Sequence, residues 1–248
     1  MRRFTLAPDA IADGRVTFDV SQSRHLARVL RLRAGDTVVA TDGAGHDYTV
    51  RLDVVAARVS GTVVGESAGH AESPLTITLV QGVPKGDKMD AIVRAATELG
   101  VAHVRPALTA RTVVRLGPSA AVERAARWQR VAREASKQCG RAVVPVVAPP
   151  VPLSACLEAA RDTDLALCLW EGGGPALATA WPDTGVRRAA VLIGPEGGLD
   201  PSEVEAARRA GWRVVNLGAR VLRTETAGPA MIAILQARFG DLGGDGGR

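Results

Sequence analysis

The stretch Ala189-Ala-Val-Leu-Ile-Gly-Pro-Glu-Gly-Gly-Leu-Asp-Pro-Ser-Glu-Val204 decides how the C-terminal part of this chain folds. Its first five residues are uninterrupted and apolar, as in a strand buried within a parallel sheet. A glycine-bearing loop follows, and then a helix with a full set of boundary signals. Asp200 caps it, Pro201 begins it, Glu203 closes a capping box and Gly211 stands just past its end. Gly194, Gly197 and Gly198 permit backbone N–H groups to approach a ligand closely. Ligands of open α/β sheets bind outside the carboxyl ends of strands, so residues 193–199 form one candidate loop. A second is Leu217-Gly-Ala-Arg-Val-Leu-Arg-Thr-Glu-Thr-Ala227, which sets Arg220, Arg223 and Glu225 between two helical runs.

Strand and helix alternate all the way back to Pro74. Residues 75–81 read as a strand, followed by a helix with Met89, Ile92, Val93, Ala96 and Leu99 at helical spacing. Strand 101–108, helix 119–138, strand 143–147, helix 153–161, strand 164–170 and strand 212–218 with its helix complete an α/β domain with a mostly parallel sheet. The first seventy residues differ. Segments 16–20, 37–41, 48–55 and 59–64 are short, β-branched strands, with turns at 33–36 and 42–45. One helix over 21–32 interrupts them and turns Leu26, Val29 and Leu30 toward the core. A small barrel with one helix is the expected assembly. Residues 65–74 read as a linker and 240–248 as a frayed tail, dividing the chain into 1–72, 73–240 and 241–248.

Composition narrows the class. Of 248 residues, 46% are hydrophobic and 23% charged, a balance that excludes a disordered chain, a collagen and a coiled coil. No apolar run approaches the roughly 20 residues a membrane helix needs. The basic start lacks the apolar stretch of a signal peptide, so a cytoplasmic location is expected. Cys139, Cys156 and Cys168 are irregularly spaced and the four histidines form no close pair, so neither a disulfide framework nor a metal site is expected. The net charge of +5 is concentrated. Residues 1–72 hold nine Arg and nine acids, whereas residues 105–141 hold nine basic residues and two acids. Such a stripe suits a polyanion such as RNA; the plainer reading is a solvated helix face in a chain that prefers Arg to Lys.

Common cofactor fingerprints are missing. There is no Gly-x-Gly-x-x-Gly opening a helix, no Gly-Lys-Ser/Thr phosphate loop and no Gly-x-Ser-x-Gly elbow. Leu192-Ile-Gly-Pro-Glu-Gly-Gly198 followed by Leu217-Gly-x-Arg-x-Leu-Arg-x-Glu-Thr-Ala227 instead resembles the SPOUT class of S-adenosylmethionine-dependent methyltransferases. An ordered set of further segments extends the likeness over nearly the whole chain: Met1-Arg-Arg-Phe4, His25-Leu-Ala-Arg-Val-Leu-Arg31, Gly35-Asp36, Asp42-Gly43, Lys85-Gly-Asp-Lys88, Ala96-Thr-Glu-Leu-Gly100, Trp128, Arg133-Glu-Ala135 and Gly140-Arg141. Within the class they are similar to the ribosomal RNA small subunit methyltransferase E family, which methylates N3 of a specific uridine in 16S rRNA. Cys139 departs from the small polar residue expected there, at a point that concerns RNA or dimer contact.

The resemblance implies a PUA-like β-barrel followed by a sheet domain tied in a SPOUT-type trefoil knot. It also implies a homodimer with the cofactor pocket at its interface, S-adenosyl-L-methionine as methyl donor, and 16S rRNA of the small ribosomal subunit as substrate. Backbone groups of Ile193, Gly194, Pro195, Glu196, Gly197, Gly198, Leu217, Gly218, Leu222, Thr224, Thr226 and Ala227 would hold the cofactor. Arg220 or Arg223 would pair with a uracil oxygen or the target phosphate, which a permanently charged, two-pronged guanidinium does well. Glu225 or Glu196 is the candidate base. Glu225 reads alternatively as a carboxylate orienting an Arg, and Glu196 as a charge at a helix N-terminus. Arg2, Arg3, His25, Arg28, Arg31, Arg133, Lys137 and Arg141 are candidate phosphate contacts; His25 reads equally as a half-buried barrel residue, and Trp128 reads as core. Two other functions stay open: a SPOUT ribose 2′-O-methyltransferase acting on rRNA or tRNA, and a non-catalytic RNA-binding protein.

Overall fold

The computed structural model describes residues 3–6, 10–69, 72–114, 117–183 and 185–243. Residues up to Glu72, together with Ser136–Val144, form one compact unit; Ser73–Ala135 and the chain from Pro145 onward form the other.

The first unit contains β1 (Arg3–Thr5), β2 (Ile11–Ala12), β3 (Arg15–Thr17), α1 (Val20–Arg24), β4 (Thr37–Thr41), β5 (His46–Val55) and β6 (Val59–Ala68). The strands make a mixed sheet in the order β1-β4-β5-β6-β3-β2, a half-barrel in which β1 runs parallel to β4. Its core is Phe4, Val16, Phe18, Leu26, Val38, Val50, Leu52 and Val59, with Phe4 and Phe18 edge to face at 5.8 Å. The chain turns from strand to helix earlier than the pattern of residues 16–20 predicts, because Asp19 caps α1 in a box with Gln22. A π-helical turn, His25–Val29, follows, closed by Leu30 N–H on the His25 carbonyl at 2.9 Å. That wider turn rotates the expected apolar face. Leu26 stays buried, but Val29 is 65% exposed.

The expected linker is a correction. Gly65, Glu66, Ser67 and Ala68 pair with Thr49, Tyr48, Asp47 and His46, so β6 runs on through a polar, glycine-containing stretch. Ladder bonds from β5 override composition here. Its remainder includes His70 and Ala71, which lie outside the described residues, and Glu72, whose carboxylate accepts from the Arg141 guanidinium and from Val143 N–H at 2.8 Å. The Cys139 segment belongs to this unit: Thr41 and Gly45 both donate to the Ala142 carbonyl, and Arg3 donates to that of Gly140.

The second unit contains β7 (Thr76–Gly82), α2 (Lys88–Glu98), β8 (His103–Leu108), α3 (Pro118–Cys139, up to Ala135), β9 (Val146–Val147), β10 (Val151–Pro152), α4 (Leu153–Glu158), β11 (Leu165–Leu169), β12 (Arg188–Ile193), α5 (Pro201–Arg209), β13 (Arg213–Val215) and α6 (Thr224–Phe239). Its sheet is parallel throughout, in the order β10-β8-β7-β12-β11-β13 with β9 also on β8. Ala189 to Ile193 of β12 are all buried, as a strand covered on both faces requires. Trp128 is core. β13 lies at the sheet edge, yet α6, which follows it, returns to pack on α2, β7 and β12.

Two outcomes test this core. Leu192→Ala, in mid-β12 with no exposed surface, is expected to lose about 3 kcal/mol in denaturant unfolding, and a loss below about 1 kcal/mol would contradict its burial. Burial pushes the thiols of Cys156 and Cys168 up to about 11 and about 12. A thiol reagent at pH 8 should therefore find only half-buried Cys139 in native protein, and fast labelling of Cys168 would refute the packing of β11.

Candidate active site

Because β12, β11 and β13 are neighbours, their carboxyl ends come together, and the starts of α2 and α6 complete a cavity of about 460 Å³. Leu169, Ile193, Pro195, Leu217 and Leu222 form apolar wall, while Lys88, Glu171, Glu196, Arg220, Arg223 and Glu225 bring charge to it.

The loop after β12 folds tightly on itself. A Cβ on Gly194 would lie 2.8 Å from the Gly198 carbonyl carbon and 2.9 Å from Leu199 N, so only glycine fits without moving backbone. The Gly194 carbonyl accepts from Thr224 Oγ1 at 2.7 Å, which ties this loop to the first turn of α6. On the outer side Arg111 donates to the Gly197 carbonyl at 2.8 Å. The α5 start is held by the expected capping box, in which Asp200 accepts from Glu203 N–H and Glu203 accepts from Asp200 N–H (2.9 Å), and Asp200 also accepts from Ser202 N–H (3.0 Å). Glu203 also accepts from Ala110 N–H at 2.7 Å. The Ser202 hydrogen bonds hold the Asp200 carboxyl below its ordinary value.

The loop after β13 is shaped by Asn216, whose Oδ1 accepts from Gly218 N–H at 3.0 Å. Gly218 has a φ of 107°, a left-handed conformation that favours glycine. Arg223 is the N-cap of α6 and makes no side-chain cap. Its guanidinium, 84% exposed, is 4.0 Å from Glu225 Oε1. Glu225 Oε2 is shielded from solvent without a hydrogen-bond partner, 3.6 Å from Lys88 Nζ.

Lys88 links two carboxylates, because its Nζ also lies 3.0 Å from Glu196 Oε1. That hydrogen bond to Glu196 pushes the Lys88 ammonium above its ordinary value. Burial alone would raise the Glu196 carboxyl. Its own backbone N–H, Lys88 and the Lys85 N–H outweigh that and hold it below the ordinary range.

Of the residues expected to hold a cofactor, Ile193, Gly194, Pro195, Glu196, Gly198, Leu217, Gly218, Leu222, Thr224 and Ala227 line the cavity; Gly197 and Thr226 do not. Gly197 faces Arg111, and Thr226 is exposed. Lys88, Glu171 and Asn216 are additional lining residues. The carboxyl-end rule, applied to Leu169-Trp170-Glu171 before its three glycines and to the turn after β7, is the signal that would have found the first two.

The basic residues separate into two kinds. In the first unit Arg28 and Arg31 are exposed, as is His25, which packs edge to face on Phe4 at 6.1 Å. Arg3 is spent on Asp47 at 2.7 Å, and Arg141, 5% exposed, on Glu72 at 2.9 Å, so these two are structural cations. Lys137 is exposed in the same unit; Arg133 is exposed in the second. Arg127 is engaged by Asp87 and Asp90 at 2.9 and 2.6 Å. Arg2 and Arg115 lie outside the described residues.

The model of an RNA methyltransferase domain matches residues 71–236, and that of an RNA methyltransferase PUA domain matches residues 18–54. The chain is 34% identical over 241 residues to the ribosomal RNA small subunit methyltransferase E of Synechocystis, covering 95% of this chain and 77% of that protein. To the enzyme of that name from Bacillus subtilis it is 30% identical, over 85% and 86% of the two chains. Among solved structures it resembles ribosomal RNA small subunit methyltransferase E from Neisseria gonorrhoeae bound to S-adenosyl methionine, with TM-score 0.82, 35% identity and 98% and 99% coverage. Matched in both units and over nearly its whole length, the chain belongs to the ribosomal RNA small subunit methyltransferase E family of RNA methyltransferases.

Proposed function

We propose that this protein transfers the methyl group of S-adenosylmethionine to N3 of a uridine in 16S rRNA, uracil 1498 in the standard numbering. The observation that carries the reading is the convergence of both glycine-bearing loops on one cavity with Arg223 and Glu225 beside it. The residues present fit the donor: an apolar wall meets three carboxylates, Glu171, Glu196 and Glu225, whose charge complements a sulfonium. Bound there, the donor supplies a methyl group on a positively charged sulfur.

The chain's own residues have two tasks. One is to hold the uracil edge in line with that methyl group, an entropic contribution shared by the loop backbones. The other is to manage charge, because uracil N3 carries a proton that must leave as the new N–C bond forms. Glu225 is the proposed acceptor of that proton, since it lines the cavity and its Oε2 has no donor nearer than Lys88 Nζ at 3.6 Å. Arg223, projecting to solvent, is proposed to pair with a uracil oxygen as negative charge develops there, and Arg220 with the neighbouring phosphate. Arg28, Arg31, His25, Arg133 and Lys137 would hold the rRNA backbone. A homodimer belongs to the same proposal, with Ile234 of α6 offering apolar surface to a partner at 37% exposure. The return of α6 across the sheet supports the trefoil knot.

Mass spectrometry of small-subunit rRNA methylated by the purified protein tests the reaction, with N3-methyluridine the expected product; a ribose 2′-O-methyl product would overturn it. Arg223→Ala should cut the rate about 100- to 1000-fold while donor affinity holds. Glu225→Gln should cut it about 100- to 10000-fold, and near-normal turnover by that variant would remove Glu225 as the base.

A further inference from the structure

Gln81 ends the apolar run of β7 and is completely buried. It does not line the cavity. Its Nε2 donates to Thr224 Oγ1 at 2.9 Å, to the Gly82 carbonyl at 3.0 Å and, more distantly, to the Gly194 carbonyl at 3.4 Å. Its Oε1 is buried with no hydrogen-bond partner. A bare buried acceptor is unfavourable, so packing alone would favour an apolar side chain of similar volume. What an amide does, and an apolar group cannot, is tie three segments together. Thr224 closes the set: its hydroxyl accepts from Gln81 and donates to the Gly194 carbonyl at 2.7 Å. The end of β7, the tight loop after β12 and the first turn of α6 thereby share one hydrogen-bond node. That first turn also carries Glu225, one residue beyond Thr224, and is preceded by Arg223.

We propose that Gln81 is a positioning residue of the methyl-transfer site, acting through Thr224 and the Gly194 carbonyl to set the spacing of the two donor-binding loops. The inference rests on the function proposed above. Neither group has to touch the donor through its side chain, because each is committed to the framework. Loss of either should let the loops separate, weakening donor binding more than RNA binding.

Titration calorimetry of the full chain with S-adenosylmethionine tests this, using wild type, Gln81→Leu, Thr224→Val, Thr224→Ser and the Gln81→Leu/Thr224→Val double variant. Melting temperatures of the ligand-free proteins are measured alongside. Gln81→Leu and Thr224→Val are each expected to weaken binding about tenfold or more. The double variant should be little worse than either single one, as for members of one network. Thr224→Ser, which keeps the hydroxyl, should bind like wild type. In turnover assays KM for the donor should rise while KM for small-subunit rRNA holds. Unchanged donor binding in both single variants would overturn the node and leave the methyltransferase reading standing. Losses that add, and that follow the ligand-free melting temperature, would reduce Gln81 to a fold residue. Failure of wild type to bind the donor would remove the function and this inference together.

Discussion

A steric limit at one residue organises this protein. The β12 strand is buried from Ala189 to its end, and its chain must reverse at once where it leaves the sheet. At Gly194 the backbone of Gly198 and Leu199 comes so near that no β-carbon fits. That closeness turns the Gly194 carbonyl inward, where Thr224 and Gln81 meet it. Since the loop is pinned to α6, the position of Arg223 and Glu225 depends on a turn formed thirty residues earlier in the chain. Parallel strands supply the rest of the site, because they deliver all their carboxyl ends to one edge of the sheet.

Charge in the molecule follows a division of labour that its total conceals. Arg3, Arg127 and Arg141 are held by acids, so part of the basic surplus maintains structure. A buried cation like Arg141 must be matched, since an unpaired charge away from water is costly. Arg28, Arg31, Arg133, Arg223 and Lys137 keep their heads in solvent. Cations of this second kind, Arg220 among them, can exchange counterions for a phosphate backbone. At the cavity the two signs meet: Lys88 bridges Glu196 and Glu225, joining the N-terminal turn of α2 to both site loops.

Much of this architecture is legible in the order of residues. The α5 helix begins and ends where Asp200, Pro201, Glu203 and Gly211 predict, because capping is local chemistry. The alternation of strand and helix beyond Pro74 holds except at 143–147, where the strand shrinks to Val146–Val147 and β10 follows with no helix between, because apolar spacing reports the burial of each element. Expectation failed where partners from elsewhere intervene. The polar end of β6 is a strand because β5 lies beside it. Val29 leaves the core because a π turn, invisible to a regular helical period, shifts its face. Thr226 and Gly197 belong to the right motifs but point away from the cavity; Glu171 enters it from a strand end that carried no familiar motif, and Lys88 from a segment that carried the family likeness without a site role.

From sequence alone, then, came the classes of element, the two glycine-bearing loops and, through resemblance, the family. These depend on near neighbours in the chain, or on an ordered set of residues that needs no coordinates to be compared. The order of strands in the sheet, the burial of Arg141, the bridge made by Lys88 and the node at Gln81 were decided only by tertiary structure. Each depends on groups scores of residues apart, and no local propensity encodes which distant donor will find which acceptor once both are out of water.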